Sequence, residues 1–241
     1  VTAFDNILNS LARQDLILPY FENAMRSAED PYYGRGDGYF HPSTHPLMDE
    51  RLLYYLFHPR TQKWLVDEQY DLQREMTVSV GHSLHEVVQR QMLGTGLVKE
   101  ENIEKLFTMP EHNVRGKIDM IVDHPVRGPI VVEIKTRTHY KFGKTNEPLP
   151  EWDAQLSIQL DSQGLELGVV LMVETGYPFR VKELQVQRND ALLSEIYAKF
   201  DRVRADIALN RLPIPCCAPN SARVTGCPAR FACWHNPEGP Q

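Results

Sequence analysis

Two apolar runs near the middle of the chain carry the residues best suited to chemistry: Asp119 in the run 114–123, and Glu133 and Lys135 in the run 130–136. The connection His124-Pro-Val-Arg-Gly-Pro129 is rich in proline and glycine, which favours a turn. The two runs are therefore expected to form an antiparallel hairpin centred near residue 126. In that register Asp119 stands opposite Glu133, with Cβ atoms about 5–6 Å apart. Strand alternation puts Lys117, Asp119 and Ile121 on one face and Ile118, Met120 and Val122 on the other. It likewise separates Glu133 and Lys135 from Val132 and Ile134. Two carboxylates beside a lysine on an apolar hairpin are costly unless a cation or good hydrogen bonds accompany them. Oxygen ligands suit a hard divalent ion, so Mg²⁺ or Mn²⁺ is the natural occupant. Such an ion can hold a phosphate oxygen, stabilise charge on pentavalent phosphorus and lower the pKa of attacking water. Lys135 would position that water or neutralise the developing charge. The competing expectation is a solvated hairpin face with an ordinary Glu133–Lys135 contact.

Other elements must hold this hairpin in place. Apolar spacing predicts one or two short helices over 4–28, with Pro19 dividing them, and a loop over 30–38. Ser43 or Thr44 is expected to cap a helix through Leu47, Leu52, Leu53 and Leu56, closed near His58-Pro59. A short strand is expected within 70–80. A helix then runs from Ser79 through Leu93, with Leu84, Val87, Val88 and Met92 inward, and stops at Gly94-Thr-Gly96. Residues 97–109 become strand-like towards their end. Beyond the hairpin come a helix over Trp152–Leu160, strands over 167–173 and 179–186, and a long helix over 190–209 ended by Pro213 and Pro215. The class is α/β: a mixed β-sheet flanked by helices.

Four pieces recur in a telling order: Gly81-His-Ser-Leu-His85, Gly116-Lys-Ile-Asp119, Glu133-Ile-Lys135-Thr136, and Gln155 on the following helix. In order and spacing they resemble the PD-(D/E)XK nuclease superfamily, in the branch of the RecB nuclease domain and the Cas4-like exonucleases, over roughly residues 79–186. The resemblance implies a restriction-endonuclease-like core. It implies His85, Asp119 and Glu133 as metal ligands, the carbonyl of Ile134 as an extra ligand, and Asp119, Glu133 and Lys135 as the catalytic set. A neutral imidazole is needed for ligation. His82, three residues from His85, is the candidate for a supporting or phosphate contact. The superfamily often continues with Gln-x-x-x-Tyr, whose side chains reach the active site or DNA. Gln155 and Gln159 stand at those positions, so the tyrosine is missing.

Past Lys135 the chain carries Arg137, His139, Lys141 and Lys144, with no acidic residue until Glu147. Arg137, Lys141 and Lys144 are expected to contact DNA phosphates, together with Gln155 and Gln159. Tyr140 and Phe142 interleave with them and could stack on bases, a sequence-tolerant grip on single strands. The alternative is a solvated loop without a binding role.

All four cysteines, Cys216, Cys217, Cys227 and Cys233, fall in the last 26 residues. Four thiolates can hold zinc or an iron–sulfur cluster, although adjacent Cys216 and Cys217 are awkward ligands for one centre. Cys227-Pro228 and Cys233 resemble the close of the Cas4-like cluster motif, which implies a 4Fe-4S cluster, with Zn²⁺ the lesser alternative. The match has gaps. No cysteine precedes residue 216, Val224 occupies the place of a third tail cysteine, and Asp49 stands where an amino-terminal cysteine would be. A bound centre would tie the tail to the core, since metal binding is also folding free energy.

The chain has 241 residues, 42% apolar and 24% charged, enough for a sizeable core without staples. This composition excludes a disulfide-stapled miniprotein, a fibre and global disorder. The net charge of −6 excludes a strongly basic coating protein but allows a local nucleic-acid cleft. One domain over 1–241 is expected: a helical portion over 1–78, the catalytic core and following helix over 79–210, and the cysteine-rich tail over 211–241. No apolar run reaches the ~18 residues of a membrane span, and Val1-Thr2-Ala3-Phe4-Asp5 lacks the features of an export signal. The cytoplasm is the expected compartment, bacterial or that of a host cell if the protein is viral. The expected function is a metal-dependent DNA exonuclease in recombination, repair or replication. Its partners would be DNA, single-stranded or with free ends, and recombination or replication proteins. A structure- or sequence-specific endonuclease and a non-catalytic DNA-binding assembly subunit are the alternatives. Oligomeric state is left open.

Overall fold

The computed structural model describes residues 18–27, 37–62, 65 and 71–234. The centre is a five-stranded mixed sheet in the order β1-β2-β3-β4-β5. Its strands are β1 (Ile103–Met109), β2 (Val114–His124), β3 (Gly128–Arg137), β4 (Leu167–Glu174) and β5 (Val181–Gln187). Neighbours run antiparallel except β3 and β4, which are parallel. A parallel pair needs a crossover. Here it is supplied by α4 (His139–Lys144) and α5 (Pro150–Gln163).

Helices cover both faces. On one, α5 and α6 (Asp190–Ala208) pack their apolar residues against Ile118, Ile121, Val131, Val170, Met172, Leu184 and Val186. The short helix α2 (Glu50–Phe57) lies against α6, with Phe40 stacked on Phe200 at 4.0 Å between ring centroids. On the other face, Leu84, Val88 and Met92 of α3 (Leu72–Gly94) pack against Met120, Val122, Val132 and Ile134. The remaining helices are α1 (Leu18–Ser27), α7 (Ala222–Thr225) and α8 (Arg230–Trp234).

The hairpin forms in the expected register, with Met120 opposite Val132 and Val122 opposite Ile130. Its expected facing fails at one residue. Ile118 joins Ile121 and Val131 in the α5–α6 core, while Met120 and Val122 face α3. The alternation therefore breaks at Asp119, where the β2–β3 ladder also ends.

Several local expectations give way to stronger signals. Residues 72–80 are helical rather than strand, because Asp71 caps α3 by accepting the Gln73 and Arg74 amides at 2.9 and 3.4 Å. The β-branched residues Val78 and Val80 are simply exposed on it. Val87 also faces solvent, not the core. Residues 42–44 form a turn, and Asp49 rather than Ser43 or Thr44 sits at the start of α2. Pro19 lies in the first turn of α1; residues 4–17 and 28–36, where a further helix and most of a loop are expected, lie outside the described residues. Two glycines permit close packing beside the hairpin. A Cβ on Gly116 would sit 2.7 Å from the Phe107 ring, and one on Gly81 would sit 3.3 Å from the Thr136 hydroxyl.

Candidate active site

Where β2 and β3 part, a side chain takes over from the ladder. Asp119 Oδ2 accepts the Ile134 amide at 2.7 Å, so the backbone donor that the split would orphan is satisfied by a carboxylate. His85, one helical turn beyond Gly81 on α3, places Nδ1 at 3.5 Å from the same oxygen. The close approach of α3 to Thr136 at Gly81 makes this reach possible. Burial and then the charge of Glu133 push the Asp119 carboxyl well above the usual range. Burial also lowers the pKa of His85, leaving an imidazole that is neutral and keeps a lone pair, against the pull of Glu133.

Glu133 is buried on the adjoining strand, and three donors converge on it. Gln155 Nε2 and Gln159 Nε2 each donate at 2.8 Å, one to each carboxylate oxygen, and Lys135 Nζ lies 2.8 Å from Oε1. Lys135 also donates to Gln155 Oε1 at 2.9 Å. Gln155 therefore bridges the carboxylate and the ammonium. Both glutamines come from the buried face of α5, whose start at Pro150 and left-handed Gly164 at its end fix its length. Of the two roles expected for Gln155 and Gln159, contact with the active site or with DNA, the hydrogen bonds seen here are to the active-site carboxylate. Their amides are spent on Glu133, and Gln159 is fully buried.

Three further residues complete the cluster, and the sequence reading gave none of them a role. Gln89 Nε2 donates to Glu104 Oε1 at 2.7 Å and to the Asp119 carbonyl at 3.1 Å, and Lys117 pairs with Glu104. Glu104 has φ +51, a left-handed conformation unusual for a non-glycine residue. Such strain survives only where the surroundings impose it. Lys117 was legible through its period-two relation to Asp119; the backbone turn at Glu104 left no mark in the sequence.

The group thus sets three carboxylates, Asp119, Glu133 and Glu104, against two ammonium groups, Lys117 and Lys135, with His85 alongside. The oxygen donors of the carboxylates are of the type a hard divalent cation takes. Gln159 Oε1 is buried without a hydrogen-bond partner among the described residues, leaving an acceptor beside Glu133. Among the described residues no three His, Cys, Asp or Glu side chains are grouped so as to hold one metal ion. Glu133 is drawn towards Lys135 and the glutamines instead.

The other expected residues fall into two places. Lys141 and Lys144 of α4 are exposed, with Lys144 against the Tyr140 ring. Arg137 is half-buried over the Trp152 indole, 4.6 Å from its centroid, and 3.8 Å from Glu151. Phe142 is buried under Arg180 and Lys182, which removes it as a stacking surface. Cys216, Cys217, Cys227 and Cys233 all line one cavity, together with Asp49 and Arg51. Burial pushes the Cys233 thiol up despite the neighbouring arginine. The tail is fastened to α2 by protein contacts: Tyr55 donates to the Ala232 carbonyl at 3.1 Å, and Arg51 to the Pro213 carbonyl at 3.1 Å.

No family model and no curated protein matches the sequence. Solved structures do. The alkaline exonuclease from Laribacter hongkongensis superposes with a TM-score of 0.50 at 17% identity, covering 72% of this chain and 90% of that one. The likeness is one of fold, a mixed β-sheet flanked by helices. The protein designated SSO0001 gives 0.49 at 16% identity over 95% of this chain and all of its own. A phage-related exonuclease from Haemophilus somnus gives 0.40 at 13% identity over 55% of this chain and 71% of its own. Among the described residues no helix is long and apolar enough to cross a membrane.

Proposed function

We propose that the chain is a divalent-metal-dependent deoxyribonuclease, and specifically an exonuclease acting in DNA recombination, repair or replication. The observation that carries this reading is the meeting of Asp119, Glu133, Lys135 and His85 at the point where β2 and β3 separate. Asp119 and Glu133, with His85 and the Ile134 carbonyl, would hold Mg²⁺ or Mn²⁺. The bound ion supplies activation of water and stabilisation of phosphate charge.

The chain's own groups do the rest. Lys135 directs one N–H at Glu133 Oε1 and donates another to Gln155 Oε1, which leaves a third N–H for a phosphate oxygen or the attacking water. Gln155 and Gln159 hold Glu133 in a fixed rotamer, so its charge does not have to be reoriented as the reaction proceeds. Water attacks the phosphodiester, a new P–O bond forms, and the bond to the 3′ oxygen breaks with a proton passing to that oxygen. A 5′ phosphate remains, a polarity taken from the resemblance to the RecB and Cas4-like nucleases.

The likeness in fold to the alkaline exonuclease from Laribacter hongkongensis supports an exonuclease over the same-fold alternatives. An endonuclease would share this site, and an assembly subunit would share its fold without turnover. Linear and covalently closed circular DNA, offered with Mg²⁺ or Mn²⁺, separate the three. Digestion of linear DNA alone is expected; equal attack on circles would replace the reading with an endonuclease, and no cleavage of either would replace it with a binding subunit.

For the tail, a 4Fe-4S cluster is the reading, with Zn²⁺ second: the four cysteines line one cavity, although among the described residues no three of them are grouped so as to hold a metal ion. Iron and labile-sulfide analysis after anaerobic reconstitution should detect the cluster. Their absence would count against it.

A further inference from the structure

The surface just past Lys135 contains aromatic rings that the proposed chemistry does not use. Tyr140 on α4 is 68% exposed, and Tyr177 and Phe179 in the β4–β5 turn are 90% and 57% exposed. Exposed large rings grouped on one surface mark a contact site when the segments that carry them are held together. The two segments are built together. Glu174, at the end of β4, is fully buried and receives Arg180 Nε at 2.7 Å from the turn and His139 from α4. Lys182 reaches across to the Phe142 carbonyl at 2.9 Å, and Thr175 binds the Arg137 carbonyl at 2.9 Å. Phe179 adopts φ +53 in a turn closed by its amide on the Gly176 carbonyl at 2.6 Å. That conformation costs free energy in a non-glycine residue and persists only where the surrounding structure imposes it.

The same segments carry cationic groups: Lys141 and Lys144 on α4, with Lys144 over the Tyr140 ring, and Arg180 and Lys182 on the turn and β5, both over the Phe142 ring. Glu174, the acid between them, is neutralised by its own partners. Interleaved aromatic and cationic groups match unpaired bases joined by phosphates, whereas a duplex hides its base faces within the stack. Position adds to the match. Arg137 pairs with Glu174 in the β3–β4 register and lies two residues, about 7 Å, along β3 from Lys135.

We propose that Tyr140, Tyr177 and Phe179, with the lysines and Arg180 on the same segments, form a docking platform for a single-stranded DNA terminus leading to Lys135. Its catalytic purpose rests on the nuclease reading, but its binding does not. The platform also differs from the sequence expectation, because Phe142 lies beneath it and Tyr177 and Phe179 replace it.

Fluorescence anisotropy of labelled oligothymidylate with the full chain in EDTA tests the platform without turnover. The Tyr177→Ser, Phe179→Ser double variant should weaken binding on the order of 10-fold or more per ring removed. Tyr177→Phe with Phe179→Tyr should keep it, which separates stacking from a folding defect. A blunt duplex should bind more weakly than oligothymidylate and change less in the serine variant. Unchanged oligothymidylate affinity in the serine variant would overturn the proposal, as would equal losses for duplex and single strand, or loss in the aromatic exchange as well. Failure of the nuclease reading looks different: single strands bind through the rings, yet no DNA is cut when metal is added.

Discussion

At the residue scale, the site depends on how Glu133 is held. A carboxylate with Gln155 on one oxygen, Gln159 on the other and Lys135 beside it is oriented and shielded. Replacing Gln155 by leucine keeps its bulk but releases both Glu133 and Lys135. Turnover should fall roughly 10- to 100-fold, the usual cost of losing a residue that orients a ligand. The apparent affinity for DNA should stay near that of the unaltered protein, as single-turnover and binding titrations would reveal. A loss confined to DNA affinity would return Gln155 to the substrate-contact role expected from sequence. A glutamine's donors look the same in a sequence whether they meet a phosphate or a buried carboxylate. Asp119, Glu133 and Lys135 were singled out by strand period and turn chemistry, and His85 only by the resemblance to the nuclease superfamily. Glu104 was not, since its place depends on a left-handed backbone angle.

At the scale of elements, the approach of β1, β2 and the segment around Pro42 requires Gly116. A methyl group there would meet the buried Phe107 ring at 2.7–2.9 Å and Pro42 at 3.0 Å. Gly116→Ala should destabilise the chain by about 1–3 kcal/mol, read from the urea midpoint, as overpacking of a filled core does. An unchanged midpoint would show that Phe107 swings away freely. A second element, the turn before α2, carries His45 between Phe40 and Phe57 at 6.1 and 5.1 Å, with Nδ1 accepting the His41 amide at 2.7 Å. Burial, aided by His41 and opposed by Asp37, lowers its pKa from 6.5 to about 4. The unfolded chain then binds more protons between those values, so stability falls as pH drops through that window. The contribution is up to about 3 kcal/mol, complete above pH 6.5 and lost towards pH 4. His45→Asn should flatten this part of the urea-midpoint profile, and an unaltered slope would assign it to other groups. The α3 helix shows why elements were only partly readable. Val78, Ser79 and Val80 favour a strand locally, but the Asp71 cap and continuity with the buried half of the helix decide the outcome.

At the scale of the whole molecule, two helical layers enclose a sheet whose central strands part, and the charged cluster occupies the parting. The hairpin register followed from sequence because the turn sets its centre, and the later strands and long helix from their apolar runs and proline stops. The strand order, the stacking of Phe40 on Phe200 and the aromatic platform arise from contacts between distant segments, which no local pattern encodes. The central claim is that the cluster makes a metal-dependent nuclease. Its most direct measurement compares release of nucleotides from end-labelled linear DNA by the unaltered chain, Asp119→Ala and Glu133→Ala, each with Mg²⁺, Mn²⁺ or EDTA, with circular dichroism confirming the fold. Cleavage by the unaltered chain only with metal, abolished in both folded variants, is the predicted result. Cleavage that persists in either alanine variant or in EDTA, or no cleavage by the unaltered chain with either metal, would contradict it.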